Sequence, residues 1–394
     1  MEQEINFIVF LTTDWDKFHR KSSLLPLTKY GNVLLVQRTA DIPVSSLFFH
    51  ERIVDIIKRK RVSNLSENLF LFRPFALIHE IIAEEIPLMT KINQSILKKQ
   101  FLKIIQNLNM HSAPLVLIVY HPFQINFANI FDGSLVIYEC YDEYSEDPTF
   151  SPRKKRKVYN MEQKLLEISD VVITTSNGLY NNKKIKNTST YFLPNGVDYN
   201  FFASIHDDNV KISNTVKSIT HPIIGFLGDV NDTRDIKMLN WLTSKRSDWS
   251  FIFIGKNKLT SEIERRYFEE MKQKKNVYII GWLPEDELLS VCKSFDVGLI
   301  PSKVDSTFGK YMFPNKLFEY LAMGLPIVST DMPELRPFNG LIKVSKTKED
   351  FENNINLSLK EKSSEFTMQR LQMSRDNSWQ KRCEKIMDIV NNHI

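Results

Sequence analysis

Lys316 and Glu319 stand three residues apart in the stretch Tyr311 to Thr330, YMFPNKLFEYLAMGLPIVST, so on a helix a cation and a carboxylate would share one face. The stretch marks both ends of that helix. Pro314 suits its first turn, where a missing N–H costs nothing, Gly324 suits a left-handed residue beyond its end, and Pro326 forbids continuation. Leu317, Leu321 and either Phe318 or Ala322 then form an apolar stripe on another face. Lys316 would add a full charge to a helix end whose free N–H groups and dipole already favour a phosphate. Glu319, one turn deeper, can accept hydrogen bonds from sugar or ribose hydroxyls. Taken alone, the segment reads better as an ordinary surface ion pair worth a few tenths of a kcal/mol.

The elements that would position such chemistry alternate along the whole chain. Ile5 to Leu11 is a continuous apolar run, as expected of a buried parallel strand, and it delivers Asp14 and Trp15 into a loop at its carboxyl end. A helix-length stretch to Tyr30 and a strand from Asn32 to Gln37 follow, the opening of a doubly wound sheet. Later strands end on further polar groups: Leu69 to Phe72 on Arg73, Leu115 to Tyr120 on His121, and Leu135 to Tyr138 on Tyr141, Asp142 and Glu143. Helical spacing marks residues 91 to 108 and Val158 to Ile168, and strands follow at Val171 to Thr174 and Tyr191 to Leu193, the last leading into Pro194-Asn195-Gly196-Val197-Asp198.

Residues 204 to 220 are polar and aperiodic, the composition of a linker. Beyond them the pattern restarts with strands at Ile223 to Leu227, Phe251 to Ile254, Val277 to Ile280 and Val297 to Ile300. Ser378 can cap a last helix carrying Trp379, Cys383, Ile386 and Val390 on one side. The expected division is a domain over 1–204, a linker over 205–220, a second domain over 221–375 and a helix over 376–394. The fold class is α/β, two doubly wound Rossmann-like domains facing a cleft. Ligands of open parallel sheets sit outside the carboxyl ends of the strands, so Asp14, Arg73, His121 and Asp142 would line one side and the Gly228 loop, Trp282 and the Lys316 helix the other. Neither GxGxxG nor GxxxxGK[ST] follows either domain's first strand, which removes dinucleotide and P-loop readings at their own motifs.

The 394 residues, 42% hydrophobic and 25% charged, suit a soluble chain of two domains. No apolar run approaches a membrane span, and the acidic start MEQEINFIVF reads as a strand and not as a secretory signal. The three cysteines, Cys140, Cys292 and Cys383, lack metal-ligand spacing and suit a reducing cytoplasm. The basic excess of five gathers locally in Lys58 to Arg61 and in Arg153 to Lys157. Each run reads first as a solvated loop, and secondly as a contact for phosphates or an anionic leaflet. Nucleic acid is disfavoured, since no recognised binding motif or aromatic platform accompanies them.

Four stretches in order, LPNGVD at 193–198, IGFLGD at 224–229, NVYIIGWLPEDEL with FDVGLIP at 276–301, and PNKLFEYLAMGLPIVST at 314–330, resemble the nucleotide-sugar glycosyltransferases of the GT-B fold. The likeness is greatest to the large retaining group with many bacterial capsule, teichuronic acid and lipopolysaccharide enzymes. DWD at 14–16, YDEYSED at 141–147 and ISDVVITTS at 168–176 extend it more weakly into the N-terminal half.

The resemblance implies that Lys316 meets the donor's phosphates and that Glu319, the second acid of a paired-glutamate motif, holds donor hydroxyls. Gly228 and Asp229 would face the diphosphate with Arg234 nearby, the backbone around Trp282 would read the base, and Tyr311 and Asn315 would flank the donor. Asn195 would close the N-terminal domain at the cleft's edge, beside Asp14, Trp15, Arg73, His121 and Asp142 on the acceptor side. Two departures stand out. Tyr311 occupies the place of the first glutamate, and Asp229 and Thr233 occupy the places of the usual Arg and Lys. The implied activity is transfer of one sugar to a glycan or lipid-linked acceptor in surface polysaccharide assembly, without metal or cofactor beyond the donor itself. A retaining course can use the leaving phosphate as base, and an inverting one needs Asp14, His121 or Asp142. The alternatives are a nucleotide-sugar epimerase and a non-catalytic sugar-nucleotide-binding scaffold. The expected place is the cytoplasm, with Arg153 to Lys157 available to an anionic inner membrane face.

Overall fold

The computed structural model describes residues 4–18, 20–37, 40–41, 61–76, 87–128, 131 and 133–394. Of the first basic run only Arg61 falls among them; residues 58–60 lie outside the described residues. By packing, the chain forms an N-terminal unit of Met1–Leu193 with Cys383–Ile394, and a C-terminal unit of Pro194–Arg382.

In the N-terminal unit, β1 (Asn6–Phe10), β2 (Val33–Val36), β4 (Val62–Ser66), β5 (Leu69–Phe72), β7 (Leu115–Val119), β8 (Leu135–Cys140), β9 (Val171–Thr174) and β10 (Thr190–Phe192) make one sheet. Its order is β10-β9-β8-β7-β1-β2-β5-β4, and every described pairing is parallel except β4 against β5. A short pair, β3 (Ala40–Asp41) and β6 (Phe75–Ala76), stands apart. β1 is buried along its whole length, as its uninterrupted apolar sequence requires of a strand covered on both faces. The chain leaves β1 to one side for β2 and later returns to the other for β7, which makes the β1/β7 boundary a topological switch point.

The C-terminal sheet is wholly parallel. It comprises β11 (Ile223–Leu227), β12 (Ser250–Ile254), β13 (Val277–Gly281), β14 (Val297–Ile300), β15 (Ile327–Thr330) and β16 (Lys343–Ser345), in the order β13-β12-β11-β14-β15-β16. This is the doubly wound dinucleotide-fold order with its switch point between β11 and β14. The predicted α/β class with two doubly wound parallel units is therefore what the chain adopts.

Local differences have physical causes. The boundary falls at Leu193, upstream of the expected 204, and the polar stretch 205–220 packs into the C-terminal unit. Ile205, Val216 and Ile219 are buried in that unit's core, so three isolated apolar side chains dock a segment with no periodicity. The basic run is helical and not a loop. Its helix, Pro152–Ile168, begins where Ser151 accepts a hydrogen bond from the Lys154 N–H and Pro152 occupies the first turn. The last helix, Trp379–Asn391, starts after Ser378, whose hydroxyl accepts the Lys381 N–H, and Cys383, Ile386, Met387, Ile389 and Val390 join the N-terminal core. Among the described residues no helix is long and apolar enough to cross a membrane.

Candidate active site

The C-terminal switch point gathers most of the expected donor residues. Gly228 follows β11 with φ +118, and a Cβ there would collide with Cε and Nζ of Lys316, so only glycine lets the lysine lie against the strand end. The Lys316 ammonium is also 5.6 Å from the Phe226 ring centroid. Arg234 is buried beside the end of β14, with Nη1 donating to Ser302 Oγ at 2.8 Å and Nε without a hydrogen-bond partner. Asn315 Oδ1 is likewise buried and unpartnered. Native interiors rarely leave such atoms unsatisfied; one belongs to the residue before Lys316 and the other to the guanidinium whose charge acts on that lysine.

Burial, and after it the neighbouring Arg234 guanidinium, pull Lys316 down to about 8 against the opposing pull of Glu319 and Asp229. Burial likewise lowers Arg234 to about 10 and raises Glu319, which the lysine partly offsets. The site therefore holds a buried guanidinium and a partly buried ammonium that repel one another, a state that an anion between them would relieve. Asp229, the substituted position, offsets the two cations only in part. Its carboxylate binds Lys258 at 2.6 Å and accepts the Lys256 N–H at 2.9 Å; burial works against it, but these bonds and the charges of Lys258 and Lys316 hold it below the usual range.

The helix itself departs from expectation. It spans Lys316–Ala322, Asn315 is its cap position and Pro314 precedes it, with the Leu317 N–H bonded to the Pro314 carbonyl at 3.2 Å. Proline's missing N–H and fixed φ here shape the approach to the helix and not its first turn. Seven residues make a weak dipole, so charge at this end comes from Lys316 and Arg234. Gly324 does take the left-handed conformation, φ +69. Tyr320, unmarked by the sequence reading, fixes the helix under β11: its hydroxyl accepts the buried Leu227 N–H at 2.7 Å. Trp282 is 63% exposed with the Lys256 ammonium 5.5 Å from its ring, and Tyr311 ends the short helix Thr307–Tyr311. Asn195 belongs to the C-terminal unit, where its amide donates to the Phe313 carbonyl at 3.2 Å and so steadies the approach to Pro314.

In the N-terminal unit the expected acceptor residues follow β1, β5, β7 and β8. Arg73 pairs with Asp14 at 2.8 Å and donates to Gln37 Oε1, both charges being about half exposed. Trp15 stands nearby in sequence, with the Lys21 ammonium 5.2 Å from its ring. His121 caps the short helix Pro122–Gln124 through Nδ1, which accepts the Phe123 N–H, and its ring lies 4.4 Å from that of Tyr144. Gln124, another residue the sequence did not flag, joins β1 to β7: it donates to the Phe10 and Leu11 carbonyls and accepts from the Tyr120 and His121 N–H groups.

Asp142 follows β8. Burial raises its carboxyl to about 7, Arg20 opposing and Asp147 and Glu143 reinforcing. Beneath it lies a buried charge network. Lys183 Nζ donates to both Glu143 oxygens at 2.9 Å and to Glu162 at 2.8 Å, while the Tyr138 hydroxyl bonds Glu162 at 2.7 Å and Asn182 bonds Glu143 at 3.0 Å. Among the described residues no three His, Cys, Asp or Glu side chains form a metal-binding group.

Residues 221–360 match the family model described as glycosyl transferases group 1. Over 215 residues, 52% of this chain and 53% of the relative, the sequence is 24% identical to a protein of Bacillus subtilis (strain 168) named as the teichuronic acid biosynthesis glycosyltransferase TuaH. The match thus spans about half that relative's length. Among solved structures, sucrose-phosphate synthase from Thermosynechococcus elongatus aligns over 99% of both chains at 13% identity with a TM-score of 0.69. The catalytic domain of starch synthase IV from Arabidopsis thaliana, bound to ADP and acarbose, aligns over 100% of this chain and 99% of its own at 10% identity and 0.66. HepE of Anabaena, in complex with UDP and glucose, aligns over 99% of both at 13% and 0.62. The switch-point site of the C-terminal unit thus lies in a glycosyl transferases group 1 domain, residues 221–360, in a chain with the two-unit α/β architecture of the GT-B fold.

Proposed function

We propose that this protein transfers one glycosyl group from a nucleoside diphosphate sugar to a hydroxyl of a glycan or lipid-linked acceptor in surface polysaccharide assembly. The observation that carries the reading is the placing of Lys316 and Arg234 at the β11/β14 switch point, the ammonium against Gly228 and the guanidinium buried with Nε unpartnered, with Glu319 one turn along the same helix. Charge grows on the diphosphate as the glycosidic C–O bond breaks, and preorganised cations in a dry site stabilise that charge more than they stabilise the ground state. Lys316 and Arg234 fill this role with no metal in the scheme. Glu319 accepts from the donor's hydroxyls.

On the retaining course, the acceptor oxygen bonds to the anomeric carbon on the face the diphosphate leaves, and the departing phosphate oxygen takes the hydroxyl proton. Asp142 and His121 of the N-terminal unit are assigned to the acceptor, and a carboxyl near 7 lets Asp142 take that proton if the course is inverting. Reaction at the cytoplasmic face of a membrane suits a lipid-linked acceptor.

Incubation of candidate donors with acceptor glycans, read by mass spectrometry with and without EDTA, tests the proposal. Product formation should survive EDTA and fall at least a hundredfold in Glu319→Ala, the scale of losing a charged hydrogen bond used in the transition state. Full turnover in Glu319→Ala and Lys316→Ala would remove the site. Conversion of the donor with no acceptor would mark an epimerase, and binding without turnover a scaffold.

A further inference from the structure

The helix Pro152–Ile168 gathers most of the chain's charge excess in its first three turns. Residues 151–164 hold six basic side chains and one acidic one, a net of five that equals the +5 of all 394 residues, so the remainder sums to zero. At helical spacing Arg153, Arg156, Lys157, Asn160 and Lys164 fall within one stripe about 16 Å long, at 1.5 Å per residue. Opposite it, Val158, Leu165 and Leu166 are buried, and Glu162 is tied into the Lys183 network, which fixes how the helix rolls. The stripe is therefore held outward by the core.

Lys154 and Lys155 have partners close by. Lys154 lies 3.5 Å from the Phe150 ring centroid, and Lys155 pairs with Glu146 at 3.3 Å. Arg153, Arg156 and Lys164 are exposed and have no carboxylate partner among the described residues. Glu167, the one acid that continues the stripe, is engaged by Lys186 at 2.6 Å. Arg153, Lys154, Arg156, Lys157, Asn160 and Lys164 line a shallow depression of about 760 Å³, and Tyr159, 51% exposed, stands at its flank.

We infer that this face docks the protein on an anionic lipid bilayer. A broad, shallow, cationic stripe flanked by an exposed tyrosine complements a plane of phosphate head groups. Single-stranded nucleic acid is a poorer match, since no aromatic ring lies within the stripe for bases to stack on. The helix follows directly on the loop that carries Asp142, and the loop's short helix Tyr144–Glu146 is joined to it by the Lys155–Glu146 pair. Docking here would hold that loop at the membrane surface. The inference rests on charge placement and not on the proposed transfer reaction, so it can be read without any substrate.

The experiment is co-sedimentation of the full chain with vesicles of phosphatidylcholine alone and with added phosphatidylglycerol. Partition should require the anionic lipid, fall steeply with salt, and drop about a hundredfold in Arg153→Gln/Arg156→Gln/Lys164→Gln, at about fivefold per cation. The same charge is removed elsewhere by Lys211→Gln/Lys217→Gln/Lys362→Gln, which should partition as the wild type does. Unchanged melting of both variants certifies their folds. Absence of binding, equal binding to neutral vesicles, or equal loss in both variants would overturn the inference. So would tighter binding of an oligonucleotide than of vesicles at the same salt.

Discussion

A single absent side chain decides whether the site at the β11/β14 switch point can exist. Gly228 has a φ that L residues rarely adopt, and any Cβ would displace the Lys316 ammonium. Gly228→Ala should therefore lower stability by more than about 1 kcal/mol, since alanine is strained at such a φ. It should also weaken binding of a nucleoside diphosphate by about tenfold or more, the scale of a charged hydrogen bond. Calorimetry and thermal melting on the same sample separate the two effects, and unchanged affinity would show that Lys316 does not need that wall. Lys316, Glu319, Gly228 and Arg234 were each legible from their places in ordered motifs. The partner of Asp229 was not. Lys258 lies 29 positions along the chain, on another strand's loop, and nothing local announces that pairing.

At the scale of elements, charged side chains fasten the loops to the sheets. The loop after β8 is held by Lys183 between Glu143 and Glu162, all three buried. Removing one member leaves the other charges unpaired, so Lys183→Met should cost about 3–5 kcal/mol. The sign with pH follows from Glu162, whose folded pKa is already raised by burial despite the offset from Lys183. Without the lysine it rises further, and an acid raised in the folded state weakens that state above its unfolded pKa. The deficit should thus be larger at pH 7.5 than at pH 5, where protonation relieves it, and melting curves at the two values check this. Equal loss at both would mean that the network does not carry charge in the folded protein. Strand placement was legible because fully buried parallel strands are uninterrupted apolar runs, as in β1 and β11. Val158 to Ile168 read as helical from its spacing, but the first turns of that helix did not, because the basic run 153–157 holds no apolar side chain to mark a period.

The whole molecule is two parallel α/β units sharing one last helix. Cys383, Ile386, Met387, Ile389 and Val390 lie in the N-terminal core although they follow the C-terminal unit in sequence. At about 1.5–3 kcal/mol per buried apolar side chain their loss approaches the full stability of a domain. A chain ending at Arg382 should therefore lose protease protection over the N-terminal unit, and unchanged protection there would contradict the assignment. Repeated strand and helix patterns made both units legible; the boundary at Leu193 was not, because sparse apolar residues dock 205–220 without a period. The account's central claim, a diphosphate held by Lys316 and Arg234, is tested most directly by calorimetric titration of UDP, GDP and CMP, with and without magnesium, into wild type and Lys316→Ala. One diphosphate should bind without metal, at least tenfold more weakly in the variant. Its affinity for the wild type should fall as pH rises through about 8, where the free lysine loses its proton. Equal binding by wild type and variant, or no binding of any nucleotide, would contradict it.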